Sequence, residues 1–131
     1  MNCVDFIVAA ERECFENSWD ETAVRAVTDS GYGVCVCEEG VGYALGRISF
    51  DEAELYRIAV LPGERRRGAG QRLLGRFIGE CRQRGAERIF LEVRSRNVPA
   101  ISLYERAGFV KLNIRKGYYP DDDGIVYILQ L

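Results

Sequence analysis

Between residues 53 and 93 the spacing of apolar side chains changes twice, and this constrains the fold more than any other feature of the chain. An alternating run ending at Leu61 reads as a strand stopped by Pro62-Gly63. Leu73, Leu74, Phe77, Ile78 and Cys81 then form one helical stripe that Gly85 ends, and Arg88-Ile89-Phe90-Leu91-Glu92-Val93 resumes as a strand. Two strands joined through a helix predict a right-handed β-α-β unit with parallel neighbours.

The flanking sequence extends that unit into a larger sheet. Strand-like runs at about 32–38, 41–50 and 53–61 are joined by Glu39-Gly40 and Phe50-Asp51-Glu52, the tight connections of a meander. Asn97, Pro99 and Gly108 bracket a short helix, and strands at about 109–117 and 125–130 close the chain. Upstream, Val4, Ile7, Val8, Cys14 and Phe15 suit a helix. Ser18-Trp19-Asp20-Glu21 predicts a capping box, with Ser18 as N-cap and Glu21 at N3, opening a second helix over Ala23, Val24 and Val27. The expectation is a mixed α/β (α+β) fold: a central twisted sheet of about six strands with helices on both faces, one domain over residues 1–131.

Composition narrows the chemistry. The chain has no histidine, which excludes a Ser-His-Asp triad, a Cys-His pair, His-ligated zinc and an imidazole proton shuttle, so acid-base work falls to carboxylates, tyrosines or cysteines. The five cysteines include no CxxC spacing, and Val34-Cys35-Val36-Cys37 sets two thiols on one strand face as small hydrophobes; no metal site is expected. Met1-Asn2-Cys3-Val4-Asp5 carries acid where a signal peptide needs base, and no apolar run reaches the ~18 residues of a membrane span, so the reading is a soluble, cytoplasmic protein.

The net charge of −2 conceals a division: residues 1–56 sum to −9, residues 57–96 to +7 and residues 97–131 to 0. Sixteen of the 18 cations are arginine, a bias toward forked recognition of phosphate or carboxylate. Within the basic segment, Arg65-Arg66-Arg67-Gly68-Ala69-Gly70-Gln71 leads from a strand into a helix, where glycine permits close backbone approach and first-turn N–H groups face an anion. It is no Walker loop, since no Gly-Lys-[Ser/Thr] follows, and Leu73 breaks the dinucleotide fingerprint. A phosphate site and a glycine-loosened turn with solvated arginines are both open readings. Nucleic-acid binding is weaker, because a pI near 5.3 is acidic where such domains are basic.

Glu92 is the second lead, a carboxylate in an apolar run where burial would raise its pKa toward that of a general base; a salt bridge or an outward-facing position is the competing reading. Tyr104, in the helix after Asn97, is either core or a proton donor.

Taken together, Ile58-Ala59-Val60, Arg65-x-x-Gly68-x-Gly70, Leu91-Glu92-Val93-Arg94, Asn97, Leu103-Tyr104-Glu105, Gly108-Phe109 and Arg115-Lys116-Gly117-Tyr118-Tyr119-Pro120 closely resemble the GCN5-related N-acetyltransferases (GNAT), and most of all the bacterial ribosomal-protein-alanine N-acetyltransferases. The resemblance implies acetyl-CoA as cosubstrate, no metal, and the α-amino group of a protein's N-terminus, such as that of a ribosomal protein, as acceptor. It implies that Ile58, Ala59 and Val60 hold the pantetheine and acetyl carbonyl, that Arg65, Arg66, Arg67, Gly68, Ala69, Gly70 and Gln71 surround the pyrophosphate, and that Asn97 touches the pantetheine arm. Glu92 would be the general base, Tyr104 the general acid, and Tyr118 and Tyr119 walls of the acceptor slot. The chain departs from the family pattern in starting almost at its first helix, in Arg57 where Asn or Asp is usual, and in the triplet Asp121 to Asp123.

Overall fold

Alternating burial along the strands divides the molecule into two cores. The computed structural model describes residues 3–131; Met1 and Asn2, part of the acidic N-terminus read above, lie outside the described residues. Two helices come first, α1 (Cys3–Cys14) and α2 (Glu21–Thr28), followed by strands β1 (Gly33–Glu38), β2 (Gly42–Ser49) and β3 (Glu52–Val60). A 3-10 turn at Pro62–Glu64 leads into α3 (Ala69–Gln83), β4 (Arg88–Arg94), α4 (Val98–Arg106), β5 (Val110–Tyr119) and β6 (Asp122–Gln130). The six strands lie in the order β1-β2-β3-β4-β6-β5, with β3 and β4 parallel and every other pair antiparallel.

One face of this mixed sheet is covered by α3 and α4. Val34 and Val36 of β1, Ile89, Leu91 and Val93 of β4, and Ile125 and Tyr127 of β6 pack there with Leu73, Leu74, Phe77 and Tyr104. The other face carries a second core, Phe6, Ile7 and Ala10 of α1 and Val24 of α2 against Tyr43, Leu45 and Ala59. The helices do fall on both faces. Cys35 and Cys37 share the side opposite Val34 and Val36: Cys37 packs at the margin of the second core and Cys35 is exposed. No helix among the described residues is long and apolar enough to cross a membrane.

Two local expectations are corrected. Asp20, not Ser18, is the N-cap of α2: its carboxylate accepts the Ala23 N–H at 2.9 Å. The backbone N–H of Trp19 is already held at 2.8 Å by the Glu11 carboxylate, so the chain turns helical only after Asp20. Near the C-terminus the aspartates do not form a loop between strands ending at 117 and starting at 125. Strand β5 runs to Tyr119 and β6 begins at Asp122. Asp122 accepts the Ser95 hydroxyl and the Arg96 N–H (2.9 Å), Asp123 accepts the Gly117 N–H (2.8 Å), and Asp121 pairs with Arg94. The bonds to Arg94, Ser95 and Arg96 pin the hairpin to the end of β4 and the residues after it, and the Asp123 bond closes the hairpin itself.

Candidate active site

The site begins at a β-bulge. In the β2–β3 ladder Leu45 lies opposite Arg57 but Gly46 lies opposite Leu55, so Tyr56 is an extra residue on β3. The bulge reverses the faces: Leu55 points into the α3 core, whereas Ala59 points into the α1–α2 core and Ile58 and Val60 turn toward α3. Pairing between β3 and β4 ends at Leu55 opposite Leu91. Beyond that point β3 continues to Val60 and β4 to Arg94 without pairing to each other, which opens a split in the middle of the sheet. Backbone polar groups on the inner edge of residues 56–60 face this split, where an extended ligand can complete the ladder.

At one end of the split lies the arginine and glycine loop. Arg66 (φ 65°) and Gly68 (φ 78°) both take the left-handed conformation, and Gly68 is the N-cap of α3 without any side-chain cap. Successive turns of this kind aim backbone N–H groups into a concavity that suits an anion, and the dipole of α3 adds to it. The concavity is a cleft of about 460 Å³ whose lining includes Arg66, Gly68, Gly70, Gln71, Ser102 and Arg106. Ala69 is buried at the helix start and Gly70 lies against Leu103 of α4.

Arg65 and Arg67 are differently placed. Arg65 turns back, its Nε donating to the Val60 carbonyl at 2.9 Å, so it closes the turn after β3 instead of reaching into the cleft. Arg67 reaches Glu64 at 3.5 Å and is otherwise solvated. Ser102 and Arg106, four residues apart on α4, escaped the sequence reading. Their spacing marks one helix face, but only the packing of α4 beside α3 brings that face to the cleft.

At the other end of the split stands Glu92, with Tyr104 buried in the core on the opposite face. Leu91 and Val93 point into the α3–α4 core, so Glu92 projects from the opposite face at the first residue of β4 beyond the pairing. Its side chain is 22% exposed and its Oε1 lies 3.4 Å from Nη1 of Arg115. The expectation of a carboxylate inside a covered strand is corrected here, because period-two alternation places Glu92 on the side that carries less cover. Tyr104 rises from α4 on the other side of the sheet, is 7% exposed and packs against Phe109. Burial pushes its hydroxyl up to about 12, so the phenol holds its proton at neutral pH.

Tyr119 lies within electrostatic range of both. Its hydroxyl is raised by burial and then by the charge of Glu92, and it in turn acts on Tyr104. Tyr118, half exposed, meets Tyr119 edge-on at 5.0 Å, with Arg115 stacked on Tyr118 and Arg94 on Tyr119. Asn97 caps α4, its Oδ1 accepting the Ala100 N–H at 3.3 Å. Among the described residues no group of His, Cys, Asp and Glu could hold a metal ion.

A parallel strand pair that splits midway, with a left-handed arginine and glycine turn at a helix start on one side and a partly exposed carboxylate on the other, defines an α/β domain with an open edge inside its sheet. The chain belongs to the Acetyltransferase (GNAT) family, whose model matches residues 4–109. It is 45% identical over 82 residues to the [Ribosomal protein bS18]-alanine N-acetyltransferase of Escherichia coli (strain K12), an alignment covering 63% of this chain and 55% of that protein. The chain thus spans about half the length of the curated relatives it matches there. An uncharacterized protein of Mycobacterium leprae (strain TN) is 34% identical over 97% of this chain but only 37% of its own length. The crystal structure of the ribosomal-protein-S18-alanine N-acetyltransferase from Escherichia coli superposes with a TM-score of 0.86 at 32% identity, covering 97% of this chain and 86% of that one.

Proposed function

We infer that the protein is an N-acetyltransferase that moves the acetyl group of acetyl-CoA onto the N-terminal α-amine of a protein, with the N-terminal alanine of a ribosomal protein as acceptor, in line with the name of its Escherichia coli relative, a [Ribosomal protein bS18]-alanine N-acetyltransferase. The observation that carries this reading is the split between β3 and β4, with the left-handed arginine and glycine turn at one end and Glu92 at the first residue of β4 beyond the pairing. A pantetheine arm laid along residues 58–60 would complete the open edge of β3 while the pyrophosphate meets Arg66 and the N–H groups from Gly68 to Gln71. Asn97 lies at the start of the helix that borders the same cleft.

The chemistry asked of the residues is modest. An α-amine titrates near 7.7–8.0, so about a tenth is neutral at pH 7, whereas a lysine near 10.4 needs about 3.4 kcal/mol more deprotonation work. Glu92, through a water molecule, would take the proton as the amine attacks the thioester carbonyl. Backbone N–H groups in the split would face the developing oxyanion, and Tyr104 would give its proton to the departing thiolate. Tyr118 and Tyr119 would bound the acceptor slot beside Glu92.

Intact-mass measurement of ribosomal-protein N-terminal peptides incubated with the protein and acetyl-CoA tests the reading. Gain of one acetyl group on peptides with a free α-amine, and none when that amine is blocked, is the expected result. Acetylation of lysine side chains alone would reassign the acceptor, and coenzyme A binding without transfer to any amine would remove the enzyme reading.

A further inference from the structure

Arg57 is the departure from the family pattern that the geometry explains least as simple packing. It follows the bulged Tyr56, and the reversal of faces there sends its side chain toward α1, the side of the sheet on which Glu92 also projects. Its Nη2 donates to the Asn17 carbonyl at 2.6 Å and lies 3.4 Å from Oε1 of Glu11. The guanidinium stacks 4.3 Å from the centre of the Phe15 ring and 5.3 Å from that of Trp19.

Beneath it, Glu11 is completely buried, accepting the Tyr43 hydroxyl and the Trp19 N–H. Trp19 in turn meets Tyr56 at 6.0 Å. Arg57 Nε is buried and has no hydrogen-bond partner. With Glu11 buried and Arg57 one-fifth exposed, the pair adds little net stability compared with apolar packing, but removal of Arg57 leaves the Glu11 carboxylate without its cation in the interior. Asn17, Phe15 and Trp19, which Arg57 and Glu11 hold, all lie on one short segment, residues 15–19, which joins α1 to α2.

We propose that Arg57 is a positioning residue that clamps residues 15–19 as the wall of the acceptor slot opposite Tyr118 and Tyr119, and so sets acceptor affinity without acting on the cofactor. The proposal rests on the acetyltransferase reading above. Phe15, Trp19 and Tyr56 form the near side of the slot, the β5–β6 hairpin the far side, and Glu92 lies between. Loosening residues 15–19 would widen the slot while the loop before α3 stays as it is.

Three variants, R57M, R57K and the double variant E11Q/R57M, separate positioning from mere folding; the double variant leaves no unpaired charge buried, so it keeps the test decisive should R57M fail to fold. For each folded variant, acetyl-CoA affinity is measured by calorimetry, kcat and KM with an alanine-starting peptide, and acrylamide quenching of Trp19, the single tryptophan of the chain. R57M and the double variant are expected to raise peptide KM at least ~10-fold, with kcat and acetyl-CoA affinity within ~2-fold of the parent and Trp19 quenching markedly increased. R57K keeps the charge but not the planar stack, and its KM falls between. An unchanged peptide KM in the folded double variant, or a KM rise matched by equal loss of acetyl-CoA affinity, overturns the proposal. Should the parent protein acetylate no peptide, the acetyltransferase reading fails separately, and unchanged Trp19 quenching in the double variant still refutes the clamp.

Discussion

The Tyr43 hydroxyl donates to the carboxylate of Glu11 in the closed interior between α1 and β2, joining residues 32 positions apart in the sequence. Burial and the Glu11 carboxylate together raise the Tyr43 pKa far above its usual value, so the phenol stays a donor. Glu11→Ala removes the acceptor of Tyr43 and Trp19 and strands the Arg57 guanidinium, and should cost about 3–5 kcal/mol in a urea titration. Tyr43→Phe removes one donor only and should cost about 1.5–3 kcal/mol.

Gly46 offers a different stability test. A Cβ there would lie 2.1 Å from the Glu54 carbonyl oxygen and 2.6 Å from the Phe77 ring, with no room for either to yield freely. Gly46→Ala should destabilise by about 1–3 kcal/mol, whereas the same change at Gly75, where nothing lies near, should stabilise α3 slightly. Thermal melts of the two variants should move in opposite directions.

Tyr104 sets an alkaline limit. Its pKa in the fold, about 12, exceeds the ordinary value of 10.0. Below pH 10 the phenol is protonated in both folded and unfolded chains and stability does not change through it. Above pH 10 the unfolded chain releases the proton first, so stability declines up to pH 12. Melting temperature should therefore fall between pH 10 and 11.5, and Tyr104→Phe should lessen that fall while lowering kcat ~100-fold or more.

Glu92→Gln keeps the shape of the side chain but not its basicity. Acetyl-CoA affinity by calorimetry should stay within ~2-fold while turnover drops ~100-fold or more. Full turnover in the Gln variant would transfer the base role elsewhere.

Asp122 fastens the hairpin that carries Tyr118 and Tyr119. The hydrogen bond from Ser95 and those from the Arg96 and Asp123 N–H groups hold its carboxyl below the usual range. That fastening is complete above the unfolded pKa near 3.8 and lost as pH falls through the lower folded value. Asp122→Ala should raise peptide KM several-fold at neutral pH and leave acetyl-CoA affinity unchanged.

Much of this protein is legible from local sequence, because local sequence encodes local physics. The change of period around Pro62 and Gly85 predicts the β-α-β unit, and alternation in β1 predicts that Cys35 and Cys37 share one face. The Gly68 turn and the start of α3 follow from the same reading. Other features depend on residues distant in the chain. Gly46, opposite the bulge at Tyr56, is the one local signal for it, and its place in the register emerges only where β3 pairs with β2 while parting from β4. Ser18 and Asp20 are both competent caps, and Glu11, reaching across from α1 to Trp19, decides between them. The partners of Arg57, the faces shared by Glu92 and the hairpin tyrosines, and the cleft between α3 and α4 likewise exist only once the sheet has brought separate segments together. Local sequence specifies the elements and the residue types able to do chemistry; which of them face one another depends on burial and pairing across the sheet, and those are properties of the whole fold.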